Sequence, residues 1–204
     1  MSEDFRGKLP YQGALLGLLA ALASGLLALG HELTREPIET QRREELRQSL
    51  AQVIPAANHD NDLLADALEL TGPDGQPRQV YRAFLGATPT GAAYKVTGYG
   101  YAGAIEIVMG VDAQGRLLGV RVLAHKETPG LGDKIEAQRD PWITRFSGLS
   151  LGDPPESEWA VKKDGGRFDQ FTGATITPRG VVKAIKEGLQ WFEANRAALT
   201  AAKG

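Results

Sequence analysis

Residues 9–30, LPYQGALLGLLAALASGLLALG, contain no charged side chain and are dominated by Leu, Ala and Gly. A helix needs roughly 20 apolar residues to cross the hydrocarbon core of a bilayer, and this run has that length. The apolar part of a cleaved signal peptide is shorter, roughly 7–15 residues, and the Ala-Leu-Ala around Leu29 competes weakly as a cleavage site. The run therefore reads as an uncleaved transmembrane anchor. Tyr11 falls where aromatic side chains sit at a membrane interface. Gly13 and Gly17 form a G-x-x-x-G, which lets a partner helix approach closely. Arg6 and Lys8 precede the run, and Arg35, Arg42, Arg43 and Arg47 follow it. That count favours a cytoplasmic C-terminal side, yet long soluble domains translocate largely regardless of flanking charge. Charge alone leaves the side open.

The rest of the 204-residue chain has room for one compact domain with its own core. Its formal net charge of −2 offers no basic excess to neutralise phosphates, which argues against nucleic acid as a partner. Cysteine is absent, which removes disulfides, thiolate metal sites, iron–sulfur clusters and c-type haem. His31, His59 and His125 lie far apart and show no H-x-x-x-H spacing, so no metal site is expected.

After the anchor, residues 38–54 read as a helix with Leu46, Leu50, Val53 and Ile54 on one face, charged residues Glu39, Arg42, Arg43, Glu44, Glu45 and Arg47 on the other, and Pro55 as its stop. In NHDNDLLADALEL, the trio Asp60, Asn61 and Asp62 suggests calcium, but the glycine and closing glutamate of an EF-hand loop are missing. A loop ending in a helix cap is the expectation there, and TGPDGQP (71–77) is a turn. Residues 80–85, 94–99, 104–111 and 117–124 are β-branched or aromatic runs bounded by Gly and Pro, hence strands. DAQGR (112–116) is a hairpin loop between the last two. DPWITRFSG forms a short helix capped by Asp140 with Pro141 at its first position. A final helix over 178–198 buries Val181, Val182, Ile185, Leu189 and Phe192. The expected class is α+β, an antiparallel sheet flanked by helices.

Three motifs carry chemistry or its appearance. GYGYAG (Gly98, Gly100, Gly103) matches G-x-G-x-x-G, but a dinucleotide site needs that loop to open a helix in a βαβ unit. Here it continues as the strand AIEIVMG, so a bulged or closely packed strand pair is the better reading. HKETPGLGDKIE leaves a strand and turns at Pro129-Gly130, with Gly132 free to adopt a left-handed conformation. His125, Lys126 and Glu127 stand at that strand end, where binding residues often occur, as do ordinary surface loops. DQFTGATITPRG groups two hydroxyls with Gly173 and Ala174 directly before a helix, with Thr177 as expected cap and Pro178 at its first position. A phosphate ester on Thr175 would meet the free N–H groups and positive dipole end of that helix. Asp169 would bind a cation or shape the turn. A threonine-rich cap without chemistry is the plain alternative.

DQFTGATIT resembles the D-x-x-[S/T]-G-A-T signature of proteins that carry FMN through a phosphoester to threonine. Together with ETPGLG and the anchor, it is similar to the G subunit of the Rnf (Rsx) electron-transport complex, and more distantly to the C subunit of the sodium-translocating NADH:quinone oxidoreductase. The resemblance spans nearly the whole chain. It implies that Thr175 is the FMN attachment point, that Thr172, Gly173 and Ala174 complete its motif, and that Asp169 is the motif's leading acid. It also implies that Glu127, Thr128, Leu131 and Gly132 lie near the isoalloxazine ring, with Lys163 and Asp164 able to approach. The organisation that follows is a tail (1–8), the anchor (9–30), a helical juxtamembrane part (31–75) and an FMN-binding domain (76–204).

On this resemblance the chain is a single-pass bacterial inner-membrane protein with its soluble domain in the periplasm, where a flavin transferase attaches the cofactor. It relays electrons through covalent FMN inside a translocase, of ferredoxin/NAD type, that couples electron transfer to ion movement. Its partners are the other Rnf/Rsx subunits, and no turnover of its own is expected. Two rivals remain: a flavin-free scaffold subunit, and a hydrolase using Thr172 or Thr175 as nucleophile with His125 as base.

Overall fold

The structure, a computed structural model, describes residues 9–202, without the side chains of residues 9, 10, 30, 32–39 and 42. The tail at 1–8 with Arg6 and Lys8, and the side chains of Arg35, Glu39 and Arg42, lie outside the described residues. Compact packing divides the chain into Met1–Glu45 and Leu46–Gly204.

The first unit is helical. Helix α1 (Leu9–Val53) takes in both the anchor and the helix expected at 38–54. Residues 31–36 hold no glycine or proline to stop it, and a helix can absorb a proline such as Pro37 at the loss of one backbone bond. Its stretch Tyr11–Leu29 has a mean hydropathy of 1.9 and none of it is buried. That length and composition suffice to cross a membrane.

The second unit begins with the last two turns of α1. A short 3-10 turn (Ala56–Asn58) leads to five strands: β1 (Ala67–Thr71), β2 (Pro77–Leu85), β3 (Thr88–Tyr99), β4 (Ala104–Asp112) and β5 (Leu117–Ala124). They pair in sequence order as an antiparallel meander. Local turn chemistry builds the hairpins. Asp112 Oδ1 accepts from the N–H groups of Gln114 and Arg116 at 2.9 and 2.8 Å, an Asx turn that closes β4 onto β5. Within the part expected to be helical, 31–75, residues 67–71 form a strand, because β2 offers an open edge that pairs with every one of them. The region 31–75 is thus helical only as far as Val53, apart from the Ala56–Asn58 turn, and ends in the sheet. The acidic loop before β1 is also structural. Asp60 Oδ2 accepts from Gly86 N–H at 2.8 Å, and Asn61 accepts from Phe84 N–H while donating to Asp66 and the Arg82 carbonyl.

Both faces of the sheet are covered. On one, helix α2 (Ile176–Leu199) lays Val181, Val182, Ile185, Leu189 and Phe192 against Tyr94, Val96, Ile105, Ile107 and Met109. Tyr94 is fully buried there and donates its hydroxyl to the Gly188 carbonyl at 2.9 Å, and burial pushes its phenol pKa up. On the other face, Leu50, Val53 and Ile54 pack on Tyr81, Ala83, Ala93 and Val108. A pair of opposed glycines, Gly110 on β4 and Gly119 on β5, makes their seat. A Cβ at Gly110 would lie 2.2 Å from the Val53 carbonyl oxygen.

Gly110→Ala is therefore expected to lift the end of α1 from the sheet and to cost about 1–3 kcal/mol, as overpacking of a filled core does. Urea unfolding of the full-length protein followed by circular dichroism checks this, and an unchanged midpoint would refute the seat.

Candidate functional site

Five aromatic rings hold the DQFTGAT segment in place. Trp142, on the 3-10 helix Pro141–Phe146, is set by its cap, where Asp140 Oδ1 accepts from Trp142 N–H at 2.8 Å. Its indole N–H donates to the Asp169 carbonyl at 2.9 Å. Its ring meets those of Phe146 and Phe171 edge-on at 5.1 and 5.2 Å, and Phe146 in turn stacks on Phe168 at 4.6 Å beside Trp159. Phe168 and Phe171 are thus the buried feet of the segment. The chain then turns tightly, with Ala174 N–H donating to the Phe171 carbonyl at 3.1 Å and Gly173 at φ +82°. A Cβ at Gly173 would be strained at that φ.

Helix α2 starts at Ile176, two residues earlier than the local pattern predicts, and Thr175 holds the N-cap position without making a side-chain capping bond. Thr177 is not the cap. It lies inside the first turn, fully buried, and its hydroxyl donates to Glu127 Oε2. Pro178 follows at the third helical position, where its missing N–H costs nothing because that group has no intrahelical acceptor.

Glu127 reaches this point from the strand-end loop. Glu127 is buried, only 5% exposed. Oε1 accepts from Ala102 N–H at 2.9 Å and Oε2 from Tyr101 N–H at 3.3 Å, besides the Thr177 hydroxyl. A buried carboxylate needs such donors. Gly132 is needed for close approach rather than for a left-handed backbone: its Cβ would lie 2.8 Å from Glu127 Cβ and 3.1 Å from Thr177 Oγ1. The left-handed residue of the loop is Gly130, at φ +78°.

These contacts enclose a cavity of about 540 Å³ whose lining joins both motifs: Glu127, Thr128, Leu131 and Gly132 from one, Gly173, Ala174 and Thr175 from the other. Tyr101, Ile176 and Thr177 complete it, and no local signal marks them. Tyr101 sits in a turn whose G-x-G-x-x-G match points to a different site, and Thr177 has the local pattern of a cap. Thr172 is exposed and Asp169 lies away from the cavity; neither lines it. Asp169 pairs instead with Lys162 at 2.6 Å and Arg145 at 3.0 Å, which hold its carboxyl below the usual carboxylate range. It shapes the segment rather than offering a cation site. Asp164 pairs with Arg179 on the outside of α2, the bond to that guanidinium lowering its pKa, and Lys163 N–H donates to Gln170. Neither residue lines the cavity.

His125 is not poised as a base for either threonine. Its Nδ1 accepts from Glu127 N–H at 3.0 Å and its Nε2 contacts Glu136 Oε1 at 2.7 Å, so both nitrogens are engaged. A groove of about 580 Å³ between Arg78, Tyr99, Glu187 and Trp191 contains no residue of either motif. The cavity at Thr175 joins a nucleophilic hydroxyl, small residues for close approach, the exposed apolar side chains Leu131 and Ile176, and the amide end of a helix. That set suits a flat ring with a phosphate at one end.

Residues 100–190 match the FMN-binding domain family, and residues 9–53 match the RnfG N-terminal region. The G subunit of the ion-translocating oxidoreductase complex of Cereibacter sphaeroides is 50% identical over 200 residues, covering 98% of this chain and 91% of that protein. Its namesake from Stutzerimonas stutzeri is 47% identical over 189 residues, covering 93% and 83%. That from Pseudomonas aeruginosa is 48% identical over 193 residues, covering 92% and 90%. The crystal structure of Shewanella oneidensis NqrC aligns at 23% identity and a TM-score of 0.49, over 74% of this chain and 73% of that one.

Two outcomes follow from the geometry. Thr177→Val keeps the shape but deletes one donor to a buried carboxylate, and is expected to lower stability by about 2 kcal/mol in urea unfolding. The depressed Asp169 pKa implies stability that is present above the unfolded value of 3.8 and lost as pH falls through the folded one. The parent should therefore exceed Asp169→Asn in unfolding midpoint at neutral pH, and the gap should close in acid. A gap that is constant with pH would contradict the ion pairs.

Proposed function

The chain belongs to the family of G subunits of ion-translocating oxidoreductase complexes, and on that premise we propose that it carries FMN as a phosphoester on Thr175 and relays electrons within such a complex. The observation that carries this reading is the Thr175 hydroxyl. It stands at the N-cap of α2 without capping it, on the wall of a cavity that also contains the ETPGLG loop. A threonine at this position ordinarily spends its oxygen on an N–H of the first turn. Here the oxygen is left for another bond, and the helix start is favourable to a phosphate's negative charge.

The residues present fit the cofactor. Gly132, Gly173 and Ala174 leave room beside Thr175, and Leu131 and Ile176 supply apolar surface for a ring system. Thr128 adds a polar group. Bound there, FMN accepts and passes electrons one or two at a time, while the protein positions it and tunes it. Glu127, held by protein donors on both oxygens, keeps the loop and the helix start together. A covalent link prevents loss of the cofactor from an open surface cavity.

In this reading the anchor inserts the protein in the bacterial inner membrane, and the globular unit faces the periplasm, where a flavin transferase loads Thr175. The other subunits of the complex are its partners, and the electron path is of the ferredoxin/NAD type coupled to ion translocation. Intact-mass measurement and peptide mapping of the full-length protein from native membranes test it. The expected result is an FMN phosphoester on the peptide that contains Thr175, lost in Thr175→Ala and kept in Thr172→Ala. An unmodified protein from cells with active transferase would instead favour a flavin-free scaffold.

A further inference from the structure

The G-Y-G-Y-A-G turn takes no part in the attachment, yet it is fastened to the cavity more firmly than a surface hairpin requires. Gly100 N–H donates to the Gly103 carbonyl at 2.8 Å. The next two N–H groups, of Tyr101 and Ala102, both donate to the Glu127 carboxylate. A Cβ at Gly100 would lie 2.4 Å from Glu127 Oε1, so the turn can approach the carboxylate only with glycine there. The outcome of this fastening is the position of Tyr101. It is the one aromatic residue among those lining the cavity, and it is 76% exposed. Tyr99 is similarly exposed, at 71%, but does not line this cavity.

An aromatic side chain in water on a backbone held by a buried charge is a preorganised face, since part of the ordering cost of binding is already met. Aromatic rings gain from offset or edge contact with other flat rings. We infer that Tyr101 forms an aromatic wall against the isoalloxazine ring, with Glu127 as the positioning residue that holds its turn. The inference rests on the reading of Thr175 as the FMN-bearing residue. It gives the buried carboxylate a task beyond joining loop to helix: Glu127 fixes the distance between the phosphate end of the site at α2 and the ring end at Tyr101.

The test uses full-length protein from membranes of cells with active transferase, with the loaded fraction read by mass. Flavin emission and its quenching by iodide are both normalised to that fraction. In Tyr101→Ala, emission is expected to rise severalfold, because a phenol in contact with the ring quenches it, and iodide is expected to reach the flavin more readily. Tyr101→Phe should keep the shielding from iodide while emission rises, and it carries the test if Tyr101→Ala does not load. Glu127→Gln, which places a donor against a turn N–H, should shift both signals in the direction of Tyr101→Ala. Tyr99→Ala should leave both unchanged. A loaded Tyr101→Ala or Tyr101→Phe with the parent's emission and iodide access would overturn the wall, and unchanged signals in loaded Glu127→Gln would overturn the positioning role. Absence of the FMN mass from the parent would overturn the attachment at Thr175 instead, and the wall with it.

Discussion

A carboxylate removed from water must be surrounded by donors, or its burial costs several kcal/mol. Glu127, carried on its own loop after β5, meets that demand with donors from two distant places: two N–H groups of the β3–β4 turn and the hydroxyl of Thr177 in the first turn of α2. Because the charge cannot be left unpaired, these three segments are obliged to converge. The cavity is the space they leave. The two close glycines, Gly100 and Gly132, exist on either side of this side chain for the same reason, since a Cβ at either would collide with it.

The second support is apolar. The stacked and edge-on rings of Trp142, Phe146, Phe168 and Phe171 fix the segment before Thr175 from below, and the Trp142 indole ties down the Asp169 carbonyl. Thr175 is thus carried on a short rigid turn between an aromatic foundation and a helix start. Its position is determined on both sides while its hydroxyl takes no part in the capping. The attachment proposed for Thr175 requires this combination: fixed geometry and an uncommitted oxygen.

Much of this architecture could be read along the chain. The strands, the Asp112 hairpin, the Asp140 cap and the apolar stripe of α2 are all local or short-period features, and each appears where its pattern lies. The errors fall where a local signal competes with a distant partner. Residues 67–71 fall in the part expected to be helical, 31–75, and become β1 because β2 offers an edge. Thr177 followed by Pro178 is a plausible cap, but its hydroxyl is claimed by a carboxylate fifty residues away in the chain. Asp169 has its carboxylate paired with Lys162 and Arg145 outside the cavity lining, which no local pattern around it foretells.

Along the chain alone one can read the apolar helix long enough to cross a membrane, the antiparallel character of the sheet with four of its strands, and the two motifs in which the site lies. These follow from periodicity, turn chemistry and composition, which act over a few residues. Long-range packing is what puts Thr175 rather than Thr177 at the helix cap, seats the end of α1 on Gly110 and Gly119, and brings Tyr101 to the cavity. Each of these depends on a contact between segments far apart in sequence, where burial of a charge or exclusion of a Cβ outweighs the local preference.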